Sequence, residues 1–307
     1  MDPATAPLTW SSALTSWRWD SGAAVLIMAV SVAYGWARRR AAREVLTGKH
    51  VWCFAIGIAL LIAATMSAIA VYDTVLFWVR ALQVLLLLFV VPFFLAMGRP
   101  VTLLHAAMRS VGRNRLDRLL ATPAARLLAH PATTSAAMLA TPWLLYLTPW
   151  YVAALKHPAL MTATAALLLL VGFGYFYARL QTDPVPRRYS QLISLVISIV
   201  ESIGDGLLGI VLWLGPLIAA DYYTHIGRQW GPSLRVDQSI GAGILWIVGD
   251  VLGVPFIIVL MRAFAADERV HADAIDAELE SPAEVSGAPP GLWWENDPQL
   301  SERMNRR

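Results

Sequence analysis

Two stretches of the chain carry no charge for 22 residues each, Val51 to Tyr72 and His157 to Ala178. A helix rises about 1.5 Å per residue, so ~20 such residues cross the ~30 Å hydrocarbon core of a bilayer. The rest of the sequence agrees with these two runs. Hydrophobic residues make up 57% of the chain and charged residues 15%, against roughly 25% charged for a soluble domain. A soluble core, a disulfide scaffold, a disordered chain and a coiled coil are excluded. Cys53 is the one cysteine, so neither an internal disulfide nor a Cys-pair metal motif can form.

Hydropathy predicts an all-α polytopic bundle of seven transmembrane helices, at about 22–37, 51–72, 75–98, 130–154, 157–178, 189–219 and 239–262. The domain organisation expected is an outer N-terminal tail over 1–21, a transmembrane domain over 22–264 and an acidic tail over 265–307. The start lacks the basic region of a signal peptide and is read as a retained tail. The acidic tail should continue as a polar helix to about Glu280 and be disordered beyond it, with Trp293 and Trp294 available to a partner or the interface. The long sixth span either tilts or breaks near Gly204, Gly206 and Gly209. Pro142, Pro149 and Pro255 should kink their helices.

Lysine and arginine give the orientation. Nineteen lie in the connections on one side of the predicted spans and four on the other, with Arg80 inside span three. The positive-inside rule puts the N-terminus outside and the C-terminus in the cytoplasm. The net charge of +3 then reflects flanking residues, and nucleic acid is not an expected partner. Between His105 and Leu128, arginines alternate with apolar residues. That stretch reads either as an amphipathic helix on anionic headgroups or as a solvated connector.

An ionisable group at bilayer depth costs ~2.5 kcal/mol or more, so each one marks a candidate site. Arg80 lies in span three, Glu201 and Asp205 four apart in span six, and Asp250 in span seven. Gln83, three residues after Arg80, joins them as a candidate polar core. Three readings fit these residues: ion pairs that fix packing, a proton or cation path, or a metal held by the acids. Asp73, Asp221 and Asp237 are expected to be solvated loop groups, and Cys53 a packing residue. No two histidines share the spacing by which one helix chelates a metal. The signatures G-x-S-x-G, P-loop and H-E-x-x-H are missing, and enzymatic activity is not expected.

Three stretches resemble the CtaG-type cytochrome c oxidase assembly proteins. They are QVLLLLFVVPFFLAMGRPVTL from Gln83 to Leu103, His130-Pro131 followed by TPWLLYLTPWYVAAL, and DQSIGAGILWIVGD from Asp237 to Asp250. The resemblance covers roughly 50–270 and implies a seven-span factor that aids maturation of a haem-copper oxidase, through delivery of copper from the outer side. Oxidase subunits and the lipid bilayer would be its partners. Where that family shows H-x-x-x-H in span three, this chain has Arg80-Ala-Leu-Gln-Val84, and Thr164 stands for a span-five histidine. A guanidinium is no copper ligand. Copper, if held at all, would then be transient, with His157 and His225 as the remaining candidate contacts. Alternatively Arg80 pairs with Asp205, Glu201 or Asp250 and replaces a metal cross-link. Two rival functions remain, a proton- or cation-coupled transporter using the carboxylates and a metal-free assembly scaffold.

Overall fold

A computed structural model describes residues 5–186 and 191–280, with helices and no strand among the described residues. In chain order the helices are α1 (Trp10–Thr15), α2 (Ser21–Arg40), α3 (Gly48–Met66), α4 (Ala68–Tyr72), α5 (Phe77–Leu85), α6 (Val91–Met97), α7 (Pro100–Ala107) and α8 (Ser110–Leu120). They continue as α9 (Pro123–Leu128), α10 (Pro131–Leu147), α11 (Trp150–Lys156), α12 (Pro158–Leu180), α13 (Gln191–Leu214), α14 (Ala220–Ile226), α15 (Leu234–Gly243) and α16 (Gly249–Glu280). Among the described residues six segments are long and apolar enough to cross a membrane: Ser21–Arg40, Gly48–Tyr72, Phe77–Met97, Pro158–Leu180, Val196–Leu214 and Leu234–Val259. The chain is therefore a multi-pass membrane protein.

The span expected at 130–154 is divided. Helix α10 runs 17 residues with Pro142 inside it, Thr148 is extended, and Pro149 caps α11. Proline disfavours helical backbone in the residue before it, and the break falls at Thr148, before Pro149, while the helix continues through Pro142. Helix α13, by contrast, runs unbroken past its glycines. A Cβ on Gly204 would press on Leu139, and one on Gly206 or Gly209 on Trp246, so these glycines serve close helix approach rather than a break.

Phe77–Met97 is the most buried span, with 67% of its apolar window buried against 39% or less for the other five. Helices α3, α12 and α15 pack around it. Its π-helical turn, Leu86–Val90, precedes Pro92. A proline ring collides with the carbonyl four residues back, here Leu88, and the wider turn relieves that collision. Gly172 of α12 sits against the same place, since a Cβ there would overlap the Leu88 carbonyl and Pro92. A second π-helical turn, Ile244–Val248, joins α15 to α16.

Past Met97, Arg99 adopts left-handed backbone (φ 52°) and turns the chain into α7. Asp183, from the segment after α12, accepts hydrogen bonds from the Val101 amide (3.3 Å), the Thr102 amide (2.8 Å) and the Thr102 hydroxyl (2.6 Å). A carboxylate at a helix N-terminus satisfies donors that have no partner within the helix. Helix α8 packs on α7 and α9 and leaves Val111 and Leu119 exposed. The chain divides into two compact units, Met1–Ala263 and Phe264–Arg307. The second is helical as far as Glu280; the rest of the expected acidic tail, with Trp293 and Trp294, lies outside the described residues.

Candidate functional site

The structure splits the expected polar core into two centres on different faces of the central span. Arg80, Gln83 and Leu87 line one cavity, while Val84, Leu85, Leu88 and Phe89 line the other. A period of 3.6 residues per turn produces this division, because positions 80, 83 and 87 fall on one stripe.

The first cavity, about 150 Å³, lies among α2, α3, α5 and α12. Arg80 is 1% exposed. Its Nη1 donates to Gln83 Oε1 and stands 3.9 Å from Asp73 Oδ2. Gln83 passes the bonding on, its Nε2 donating to the Ala64 carbonyl at 2.9 Å. Asp73 follows the end of α4, is fully buried, and also faces Arg18 at 3.6 Å. Burial pushes the Asp73 carboxyl above the usual carboxylate range, against the opposing pull of Arg80 and Arg18. Asp73 was expected in solvent. It is buried because the turn between α4 and α5 folds its side chain back toward Arg80, two helical turns on.

The second cavity, about 100 Å³, holds the acids. Glu201 of α13 pairs with Arg179 of α12, whose Nη1 donates to both carboxylate oxygens at 3.1 and 2.9 Å. Tyr175 donates its hydroxyl to Glu201 Oε2 at 2.7 Å. Arg179 also donates to Ser135 of α10 (2.9 Å) and Ser198 of α13 (2.6 Å), and lies over the Tyr175 ring at 4.8 Å. Ser202 donates to Asp250 at 2.6 Å, and Asp205 lines the same space. Arg80 therefore pairs with none of Glu201, Asp205 and Asp250, contrary to expectation. The acids have their own cation in Arg179, which by position looked like a flanking loop residue but is wholly buried one residue inside the end of a 23-residue helix.

The two centres lie toward opposite ends of α12. Arg18, Asp20, Asp73 and Thr162 stand where α2 and α12 begin and α4 ends; Arg179 stands where α12 ends.

Asp237 was also expected in solvent and is 1% exposed. It accepts from the Phe77 amide (3.2 Å), the Trp78 amide (3.0 Å) and Arg228 (3.2 Å), and so caps α5 from α15. Gln238 beside it donates to the carbonyls of Leu212 (2.7 Å) and Pro216 (2.9 Å) and accepts from the Ile218 amide (2.7 Å). The Asp-Gln pair is thus a joint that holds the third span and the turn after α13 to the last span. Asp221 is exposed, as expected.

Of the candidate metal contacts, His157 and His225 are both exposed, the first at the cap of α12 and the second in the last turn of α14. At the positions where the resembled family has histidines, Val84 is apolar and buried, and Thr164 accepts from Trp150 Nε1 at 2.9 Å and donates to the Leu160 carbonyl. Among the described residues no group of three His, Cys, Asp or Glu side chains could hold a metal ion.

Residues 32–267 match the family described as cytochrome c oxidase caa3 assembly factor. Uncharacterized proteins of Mycobacterium bovis and Mycobacterium tuberculosis are each 28% identical to the chain over 288 residues, covering 90% of it and 43% of their own length. An uncharacterized protein of Mycobacterium leprae is 27% identical over 281 residues, covering 86% of the chain and 43% of the relative. The chain thus spans less than half the length of these curated relatives. No solved structure matches it. With a family match across both polar centres and the Asp237–Gln238 joint, the chain belongs to the cytochrome c oxidase caa3 assembly factor family.

Proposed function

We propose that this protein is a non-enzymatic assembly factor for a haem-copper oxidase of the bacterial plasma membrane, and that it serves the copper-loading stage by holding the client subunit rather than the ion. The family match over residues 32–267 supports the assembly role. The observation that carries the finer reading is chemical. Where copper ligands would be needed, the chain places a guanidinium, a valine and a threonine whose hydroxyl is already engaged. Gln83, bonded to Arg80 and to the Ala64 carbonyl, ties the third span to the second where a metal would provide a cross-link. The copper would be supplied by a separate carrier while this bundle keeps the client accessible.

In the same reading, α10 with α11 completes a seventh crossing. The N-terminus faces outside and the C-terminus the cytoplasm, as the excess of arginine in the connections on one side requires. The experiment is deletion and complementation with metal analysis. Loss of the protein should lower oxidase copper content and respiration, wild type should restore both and co-purify with oxidase subunits, and the purified protein should carry well under one copper per chain. Stoichiometric copper that disappears in His157→Ala or His225→Ala would overturn the reading, as would normal oxidase copper in the deletion strain.

A further inference from the structure

We propose that the cavity at Arg80 is a carboxylate-binding site, reached from the membrane face where α2 and α12 begin. Arg80 is 1% exposed and lines the 150 Å³ cavity. Its Nη1 is occupied by Gln83, while Nε and Nη2 are buried and without a hydrogen-bond partner. Those two nitrogens form one edge of the guanidinium, the edge whose parallel N–H bonds match the two oxygens of a carboxylate. A buried donor pair left unmet costs free energy, so the arrangement is complete only with an acceptor in place. The cavity has room for one, since a site this size exceeds what a single water requires.

The surroundings suit that ligand. The walls are apolar, from Leu26, Leu61, Leu87 and Met161, which strengthens a charge-assisted bond by excluding water. Two acids face the space. Asp20 is engaged as the cap of α2, accepting from the Ala23 amide at 2.9 Å, and also accepts from the Thr162 hydroxyl. Asp73 is fully buried, with Arg18 at 3.6 Å and Arg80 at 3.9 Å as its charged neighbours. Burial favours its protonated form, which can donate to a carboxylate instead of repelling it. Arg18 supplies a second positive charge near the opening, at 39% exposure. A wider vestibule of about 690 Å³ shares Arg18, Asp20, Gly22, Met161 and Thr162 with the cavity and provides the route in.

The test uses the full chain in nanodiscs of zwitterionic lipid. Thermal unfolding and tryptophan fluorescence, with Trp19 at the vestibule as the reporter, are titrated with sodium acetate against sodium chloride at constant ionic strength. Saturable stabilisation by acetate alone is expected. Arg80→Lys keeps the charge and loses the fork, and should weaken binding about ten-fold or more. Ala165→Leu leaves the guanidinium untouched, fills the cavity and should abolish the response. N-acetyl-aspartate amide distinguishes the source: tighter binding than acetate assigns the site to an acidic side chain of a polypeptide, and exclusion beside acetate binding assigns it to a free small carboxylate. A response equal in chloride, one unchanged in Arg80→Lys, or none to either carboxylate overturns the proposal.

Discussion

Replacing Glu201 by methionine should destabilise the bundle far more than replacing Glu201 and Arg179 together. Arg179 is wholly buried, and Glu201 pairs with it through two bonds of 3.1 and 2.9 Å to one nitrogen. Removing one member of a buried pair leaves a charge without compensation, which costs ~3–5 kcal/mol, whereas an apolar replacement of both is often near neutral. The contacts of Arg179 that survive loss of Glu201 include the hydroxyls of Ser135 and Ser198 and the faces of Tyr175 and Phe256. They offset part of the cost, so ~3 kcal/mol is the expected value for Glu201→Met, about a hundred-fold in the unfolding equilibrium. In the double variant Arg179→Met/Glu201→Met the two serines can turn to carbonyls of their own helices. The double variant should then lose only ~1 kcal/mol or less. Reversible unfolding in mixed micelles with rising dodecyl sulfate, followed by circular dichroism, gives all four corners of the cycle. Additive effects, or a Glu201→Met variant within experimental error of wild type, would refute the claim that this pair joins α12 to α13.

Asp183→Ala should cost about 1–2 kcal/mol, since it strips the acceptor from the first turn of α7; faster hydrogen exchange at the Val101 and Thr102 amides locates the loss. Burial raises the Asp73 carboxyl above its ordinary value, so its contribution to stability is full below the unfolded-state value of about 3.9 and is lost as pH rises through the folded-state value. Asp73→Asn should therefore flatten the fall in stability over that window, measured as the difference between the two unfolding curves; an unchanged slope would contradict the assignment. In a Cys53→Ser background, a polarity-sensitive label at Leu119→Cys of α8 should report an apolar setting in anionic nanodiscs and be quenched by lipid-borne quenchers. The same label at Arg113→Cys should stay in water, because Arg113 lies off the exposed apolar stripe of Val111 and Leu119.

Six of the seven expected spans were legible in the sequence because crossing a membrane is a local demand. Any 20-residue window either excludes charge or does not, and neighbours cannot change that count. The same logic exposed Arg80, Glu201, Asp205 and Asp250 as residues that must have company. What a one-dimensional reading could not supply was the company itself. The partner of Glu201 is 22 residues away on another helix, and Asp237 caps a helix that begins 160 residues before it. Asp73, Asp237 and Arg179 stand at the ends of spans, where position along the chain suggests water. Only the packing of neighbouring segments over those ends determines whether water reaches them. The division into two polar centres follows from the rotation of α5 about its own axis, which sends Arg80 and Gln83 one way and Val84 and Leu88 another. Helix rotation is set by the side chains that interlock with the neighbouring helices, Gly172 against Leu88 among them, and such interlocking exists only once the helices are assembled.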